Sequence, residues 1–274
     1  MGLSMKRIGS LADLEPFPAA ITPANWTALI PAAGRGTRLD HPGPKVLFPV
    51  LGRPLIEWMI ELLRPYCARF VVVLAPTERE VVAPAIARLL PSDAYRIALQ
   101  HAPNGMADAI DQARDLVATP HVLVTWGDQI TLRPETVARC MRAHEHRPGA
   151  LLTLPTLVRP EPYIHFQRDA DDRLVAVLQA REGEIDQPVG ESDAGLFLFA
   201  TSTLFSLLRE ARQNFAPGRA TREFNLLPLL PLFELGPGSV MSLRILDDEE
   251  TLGVNTRAEG DRAAAILRRR GEPV

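Results

Sequence analysis

The residues best able to do chemistry lie far apart in the chain. The stretch Pro31-Ala32-Ala33-Gly34-Arg35-Gly36-Thr37-Arg38, with Pro44-Lys45 just beyond it, sets two glycines among three cations. Glycine lets successive backbone N–H groups turn toward an anion with no Cβ in the way. Arg35, Arg38 and Lys45 add positive charge around the same point, and together these features suit a triphosphate. Two other phosphate loops are excluded by spacing. A P-loop carries Lys directly after its last Gly, where Thr37 stands; a dinucleotide fingerprint needs a third Gly or Ala near Leu39. Taken alone, the segment also fits a tight turn bearing solvated arginines. Asp128, in Trp126-Gly127-Asp128, follows at once on the apolar run Val122–Thr125. A carboxylate there fits either a reacting centre or a turn that caps a helix.

These side chains need a scaffold, and the flanking pattern predicts one. Ala28–Pro31 reads as a short apolar strand. Leu55, Ile56, Met59, Ile60 and Leu63 recur at helical spacing. Phe70–Leu74 is a β-branched run of the kind buried on both faces of a parallel sheet. Helices are expected over Glu78–Leu90, disturbed at Pro84, and over Met106–Val117. Arg96–Leu99 and Val122–Thr125 read as further strands, and Pro134 suits the first turn of the next helix. This β-loop-α repetition argues for an α/β, doubly wound sheet. Ligands of such sheets bind beyond the carboxyl ends of the strands, where the Gly-rich loop and Asp128 both fall. The second half changes character, with strands expected at Ala150–Leu154, Leu174–Gln179, Leu196–Phe199 and Val240–Leu246 and longer connections between them. Residues 1–26, with Pro16, Pro18 and Pro23 and weak periodicity, read as an extension. Residues 27–274 are expected to form a single domain, its half 27–145 binding nucleotide and its half 146–274 binding an acceptor.

The stretch Ala28–Leu63 resembles the N-terminal signature of the sugar-phosphate nucleotidyltransferases, and in particular the uridylyltransferase domain of the bacterial N-acetylglucosamine-1-phosphate enzyme. That pattern is an apolar strand, Ala-Ala-Gly-x-Gly-Thr-Arg, a Pro-Lys pair, then Gly-x-Pro opening a helix; here it is Ala32–Arg38, Pro44-Lys45 and Gly52-Arg53-Pro54. Gln100-His-Ala-Pro-Asn-Gly105-Met106-Ala107-Asp-Ala109 is similar to the segment that reads the base. Gly127-Asp128 is similar to the metal-binding Gly-Asp, and Gly253-Val254-Asn255 to the Gly-Val-Asn whose Asn completes metal binding. Glu223-Phe224-Asn225-Leu226 occupies the place of a helix motif near the acceptor. The likeness spans roughly Ala28 to Arg257. It implies a Rossmann-like nucleotidyltransferase fold of the GT-A type, with a mixed, mainly parallel sheet. It further implies Arg38, Lys45 and Asp128 as catalytic residues and Asp128 with Asn255 as ligands of Mg²⁺. Ala32, Ala33, Gly34, Arg35, Gly36, Thr37, Gln100, Gly105 and Met106 would meet the nucleotide. Tyr163, Ile164, Gln179, Arg181, Asp193 and Glu223 would line the acceptor pocket.

The chemistry implied is transfer of a nucleoside monophosphate from a triphosphate to a sugar 1-phosphate or a related phosphorylated small molecule, with release of pyrophosphate. A phosphomonoester has a second pKa of about 6, so the acceptor is already anionic near neutral pH. No general base is needed, and catalysis is positioning plus cationic stabilisation. The chain accordingly carries no recognisable Ser-His-Asp set or activated Cys. UTP is favoured by the resemblance, with dTTP or CTP as alternatives. Several positions depart from the resemblance. Met106 replaces a Thr, Ile164 a Gly after Tyr163, Gln179 a Glu and Asp193 an Asn. These changes argue for an acceptor smaller or less substituted than N-acetylglucosamine 1-phosphate, since a polar pocket discriminates sharply. The competing readings are a cytidylyltransferase for a polyol phosphate or phosphonate, and a non-catalytic regulator that binds nucleotide or sugar phosphate. Lys45 and Asp128, both present, speak against the regulator.

Composition narrows the classes further. The 274 residues are 46% hydrophobic and 23% charged with a net charge of −3, which is ordinary for a globular chain and offers no basic excess for a nucleic-acid partner. No apolar run is long enough to span a membrane. The first twenty residues, interrupted by Lys6, Arg7, Asp13 and Glu15, do not read as a signal peptide. A cytoplasmic location is the expectation, and Cys67 and Cys140 are expected to be ordinary buried thiols. The sequence holds no hexapeptide repeat, so no acetyltransferase activity is expected of it. Arg268–Arg270 should close a C-terminal helix. His144 and His146 are expected on the solvated face of a helix end, and Asp247–Glu250 as a charged turn.

Overall fold

A computed structural model of the chain describes residues 20–34, 36 and 38–272. A 3-10 turn at Pro23–Asn25 leads into β1 (Trp26–Pro31), which is buried at every position. The small antiparallel pair β2 (Pro49–Val50) and β3 (Arg53–Pro54) precedes α1 (Leu55–Leu63). Then follow β4 (Arg69–Leu74), α2 (Arg79–Ala87), β5 (Tyr95–Leu99), α3 (Met106–Gln112), β6 (His121–Thr125) and α4 (Pro134–His146). The second half supplies β7 (Leu152–Pro160), β8 (Ile164–Arg168), β9 (Leu174–Gln179), β10 (Val189–Asp193), β11 (Leu196–Ala200), α5 (Thr201–Asn214), β12 (Val240–Arg244) and α6 (Arg257–Arg269).

Eight of these strands form one sheet in the order β10-β7-β11-β6-β1-β4-β5, with β12 beside β7. Four of its seven pairings are parallel: β1 with β4 and β6, β4 with β5, and β12 with β7. The sheet is thus the mixed, mainly parallel α/β arrangement expected of the Rossmann-like nucleotidyltransferase fold. Its second-half strands extend it edgewise. The β8–β9 hairpin stands apart as its own two-stranded sheet.

Both faces of the sheet are covered, which explains why β4 is apolar throughout rather than alternating. Phe70, Val72 and Leu74 pack with Leu55, Ile56, Met59 and Ile60 of α1 and with residues of α2, α4 and α6. Val71 and Val73 point the other way, toward Ala107 and Ile110 of α3 and Leu204, Phe205 and Leu208 of α5. Each such buried side chain contributes about 1.5–3 kcal/mol.

The differences from the sequence reading have physical causes. The first strand begins at Trp26, whose ring is wholly buried, Ile21 packs against the core and Ala68 N donates to Pro23 O at 2.9 Å, so the ordered fold takes in the end of the segment assigned to the extension; residues 1–19 lie outside the described residues. The second helix is shorter than Glu78–Leu90, and Pro84 sits inside it. The third stops at Gln112, where the chain tightens into a 3-10 turn over Arg114–Leu116. The strand expected to end at Leu154 runs on to Pro160, because β10 pairs along its outer half.

His144 is the clearest correction. It falls in register with Val137, Cys140 and Met141 on the buried stripe of α4 and is only 2% exposed. Its Nδ1 lies 2.9 Å from Thr153 Oγ1, and its ring packs edge-on against those of Trp26 and His121. Burial, with His121 adding like-charge repulsion, lowers its pKa to about 3. His146, two residues on, is exposed as expected. Cys67 and Cys140 are free and buried, and burial raises both thiols. Asp247–Glu250 does form a charged turn, but Glu250 is buried in it, accepting from the Arg133 N–H at 2.9 Å and Thr136 Oγ1 at 3.0 Å. Arg270 does more than face a helix end, since it donates to Thr131 O at 2.6 Å. No helix among the described residues is long and apolar enough to cross a membrane.

Candidate active site

The carboxyl ends of β1, β5 and β6 open into a cavity of about 760 Å³. Beyond Pro31 the ladder continues for one bond, Ala32 N to Val73 O at 2.8 Å, and Gly34 two residues on borders the cavity. Gly36 has φ +56°, and a Cβ there would meet Lys45 Cβ at 2.7 Å. The loop can therefore close over Lys45 only with glycine at this point. Lys45 opens a 3-10 turn after Pro44.

The Lys45 ammonium is the meeting point of the distant motifs. It forms a close ion pair with Asp128 Oδ2 and donates to Asn255 Oδ1 at 2.7 Å. Arg38 Nη2 approaches the same amide oxygen at 3.4 Å. Asp128 follows β6, and the backbone N–H of Val254 donates to its carbonyl at 3.1 Å, which ties the two motifs together. Asn255 is held in turn by the start of α6. Glu259 Oε2 accepts from Asn255 N at 2.8 Å and from Thr256 Oγ1 at 3.0 Å, while Thr256 Oγ1 accepts from Glu259 N at 3.3 Å. Thr256 thus caps α6, and the Glu259 carboxylate reaches back past the cap to the Asn255 N–H, a variant of the capping box. Asn255 Nδ2 donates to Gly253 O at 3.3 Å, so its oxygen faces the cation. One carboxylate and one amide oxygen already converge on a positive charge. That donor set is all oxygen and fits a hard divalent ion such as Mg²⁺, which keeps few protein ligands and leaves positions for phosphate.

On one side of this floor stand Ala32, Ala33, Gly34, Gln100, Gly105 and Met106. Gly105 has φ +107°, and a Cβ there would come within 2.6 Å of Phe224 O. The contact is close because Phe224 N donates to Asn104 O at 2.6 Å and its carbonyl accepts from Ala107 N at 3.0 Å. The base-side loop and the segment 223–226 thus form one wall. That segment is irregular backbone leading into a 3-10 helix (Leu227–Phe233) rather than a helix itself.

Tyr163, Ile164, Gln179, Arg181, Asp193 and Glu223 line the other side. Tyr163 is exposed, whereas Gln179, paired with Ile164 across the β8–β9 hairpin, is buried. Arg181 is already engaged: it bonds Asn225 Oδ1 closely, Glu223 Oε2 at 3.1 Å and Gln179 Oε1 at 3.3 Å. Asp193, half-buried at the end of β10, has its pKa pushed up to about 6 by desolvation, against the pull of the Gly195 and its own N–H groups and of Arg159.

Every expected site residue among the described ones borders this cavity except Gly36, which backs Lys45 instead. Arg35 and Thr37 lie outside the described residues. The cavity also takes in Gln129, Arg159, Ser192 and Asn225, which the sequence reading does not single out as site residues. Gln129 adjoins the Gly-Asp motif and Asn225 falls within Glu223–Leu226, so both had a positional signal. Arg159 enters only because β7 outruns its expected end. Gln129 Oε1 and Asn225 Nδ2 are buried polar atoms with no partner among the described residues.

The protein named Bifunctional protein GlmU from Anaeromyxobacter sp. (strain Fw109-5) is 32% identical over 254 residues, covering 91% of this chain and 50% of that one. Its namesake from Pelobacter propionicus is 30% identical over 251 residues, covering 90% and 53% respectively. That from Desulfitobacterium hafniense (strain Y51) is 28% identical over 249 residues, again covering 90% and 53%. The chain therefore spans about half the length of the curated relatives it matches. Residues 28–215 match the family model of the MobA-like NTP transferase domain, so the chain belongs to that family and is a nucleotidyltransferase.

Proposed function

We propose that the chain joins a nucleoside monophosphate, with UTP as the favoured donor, to a sugar 1-phosphate or similar phosphorylated small molecule. The observation that carries this reading is the Lys45 cation held by Asp128 and Asn255 on the floor of a cavity with two chemically different walls. In the reaction a phosphate oxygen of the acceptor attacks the α-phosphorus of the triphosphate. The bond from that phosphorus to the bridging oxygen breaks, and pyrophosphate leaves with the electron pair. Arg38 and Lys45 neutralise the departing pyrophosphate and Gln100 meets the base. Tyr163, Ile164, Gln179, Asp193 and Glu223 surround the acceptor, and Arg181 reaches its phosphate by exchanging its bond to Glu223. Asp128 and Asn255 would hold Mg²⁺, which supplies charge neutralisation for the phosphates. The work of the protein is positioning and electrostatics.

The test is pyrophosphate release measured with several triphosphates against a panel of phosphorylated acceptors, with and without a divalent ion. UTP with a small phosphorylated acceptor should be turned over best. Failure of every triphosphate and acceptor pair would refute transfer, and N-acetylglucosamine 1-phosphate as the best acceptor would refute the reading of Ile164, Gln179 and Asp193.

A further inference from the structure

Gln100 is buried at the foot of the base-side wall, and its amide is not free to turn. Its Nε2 donates to Gly105 O at 3.0 Å and to Asp108 Oδ2 at 2.9 Å. A backbone carbonyl and a carboxylate paired with Arg212 can only accept, so chemistry alone assigns which end of the amide is nitrogen. Both amide hydrogens are used. No described residue donates to Gln100 Oε1, and Gln100 borders the cavity. Asp108 is only 3% exposed. Its second oxygen accepts from Arg212 Nη2 at 2.9 Å, and that guanidinium also reaches Asp111 Oδ2 at 3.0 Å and lies over the Phe224 ring. The order is therefore Arg212, Asp108, Gln100, then the cavity.

We propose that Asp108, anchored by Arg212, is a positioning residue for base selection: it holds Gln100 so that only an acceptor faces the nucleotide, and the base must present an N–H to it. This rests on the reading of the cavity as a triphosphate site. For uracil the group presented is the imide N3–H. A carboxylate at this position is essential because its two oxygens serve two donors at once. An asparagine cannot do so: turning its oxygen toward Gln100 sets its NH₂ against Arg212, and turning its oxygen toward Arg212 sets its NH₂ against the Gln100 amide.

The experiment measures binding by calorimetry of UTP and of N3-methyl-UTP, which lacks the imide hydrogen, to the full chain without acceptor. Wild type should prefer UTP by tenfold or more, the discrimination of one good polar contact to a base. Asp108→Asn should lose most of that preference while melting as a folded protein. Adding Arg212→Leu should restore it, because the introduced amide is then free to turn its oxygen to Gln100. A merely structural role predicts the opposite, a double variant worse than either single one. Equal binding of the two nucleotides by wild type, an unchanged ratio in Asp108→Asn, or no recovery in the double variant would overturn the proposal. Transfer is read separately with the acceptor panel: discrimination without turnover would refute the proposed reaction and uphold the relay.

Discussion

Asp193→Asn should make the protein more stable at neutral pH and no more stable in acid. The carboxyl of Asp193 has its pKa raised from an ordinary 3.8 to about 6, chiefly by loss of water. A raised pKa means the folded state binds the proton more tightly than the unfolded chain. The associated stability is fully present below the unfolded value of 3.8 and is lost as pH rises through about 6. At 1.36 kcal/mol per pH unit, the rise corresponds to ~3 kcal/mol. Asp193 is partly open to the cavity, where water screens its charge, so about half of that is expected. Asparagine does not titrate, and its Oδ1 can still accept from the Gly195 N–H, now at 2.7 Å. The variant should therefore exceed wild type by ~1–2 kcal/mol near pH 8, which for a chain of this size is about 3–6 °C in Tm. The gap should close near pH 4. Melting both proteins across that range and taking the difference cancels titration of His121, His144 and the other shared groups. A gap that is the same at both ends, or an asparagine variant that melts lower near pH 8, would refute the electrostatic argument.

Three further outcomes follow from the geometry. Lys45→Ala should lower kcat by about 100-fold or more, the usual cost of removing one group that stabilises developing charge, and a rate within about twofold of wild type in the pyrophosphate assay would count against its role. Gly105→Ala should weaken UTP binding by about tenfold or more and lower Tm, since φ +107° and the Phe224 carbonyl leave no room for a methyl group; calorimetry and melting check both. His144, neutral because burial lowers its pKa to about 3, should cost stability as pH falls from about 6.5 toward that value. His144→Gln should flatten this part of the acid-unfolding curve, and an unchanged curve would show that His144 titrates alike in the folded and unfolded states.

Much of the parallel half of the sheet is legible in the sequence because its strands are apolar on both faces. Phe70–Leu74 and Val122–Thr125 announce themselves through β-branched density alone. β8 and β10 do not. Val189-Gly190-Glu191-Ser192-Asp193 has little strand propensity, and it is extended because β7 pairs with it. α5 is a different case: Leu204, Phe205, Leu208 and Ala211 stand at helical spacing, a local signal that a strand-centred reading of the second half passes over. At the site, the resemblance carried by the Gly-rich, Gly-Asp and Gly-Val-Asn motifs is enough to expect Lys45, Asp128 and Asn255 together. Pairing within the site is not legible. Nothing local in the sequence says that Arg181 is shared among Gln179, Glu223 and Asn225, or that Asp108 faces Gln100, because these partners are set by where separate loops cross.

The tie between Asn255 and the first turn of α6 carries a consequence for how this chain can vary in length. The amide oxygen at the cavity floor is positioned from two sides: by the Val254 N–H on Asp128, and by the Glu259 carboxylate on Asn255. Each inserted residue moves the backbone by about 3.8 Å, so even one extra residue between Leu252 and Thr256 would carry the oxygen out of reach of Lys45. By contrast, the surface connection between α5 and the segment at Glu223 closes no such clamp near its start at Phe215, and loop length there costs little. Among natural relatives, insertions and deletions should therefore gather around residues 215–217, before Gly218 N bonds Glu223 O at 2.9 Å, and be absent from 253–259. Length tolerance along the sequence would then trace the positions where the site is clamped, without any substrate being measured.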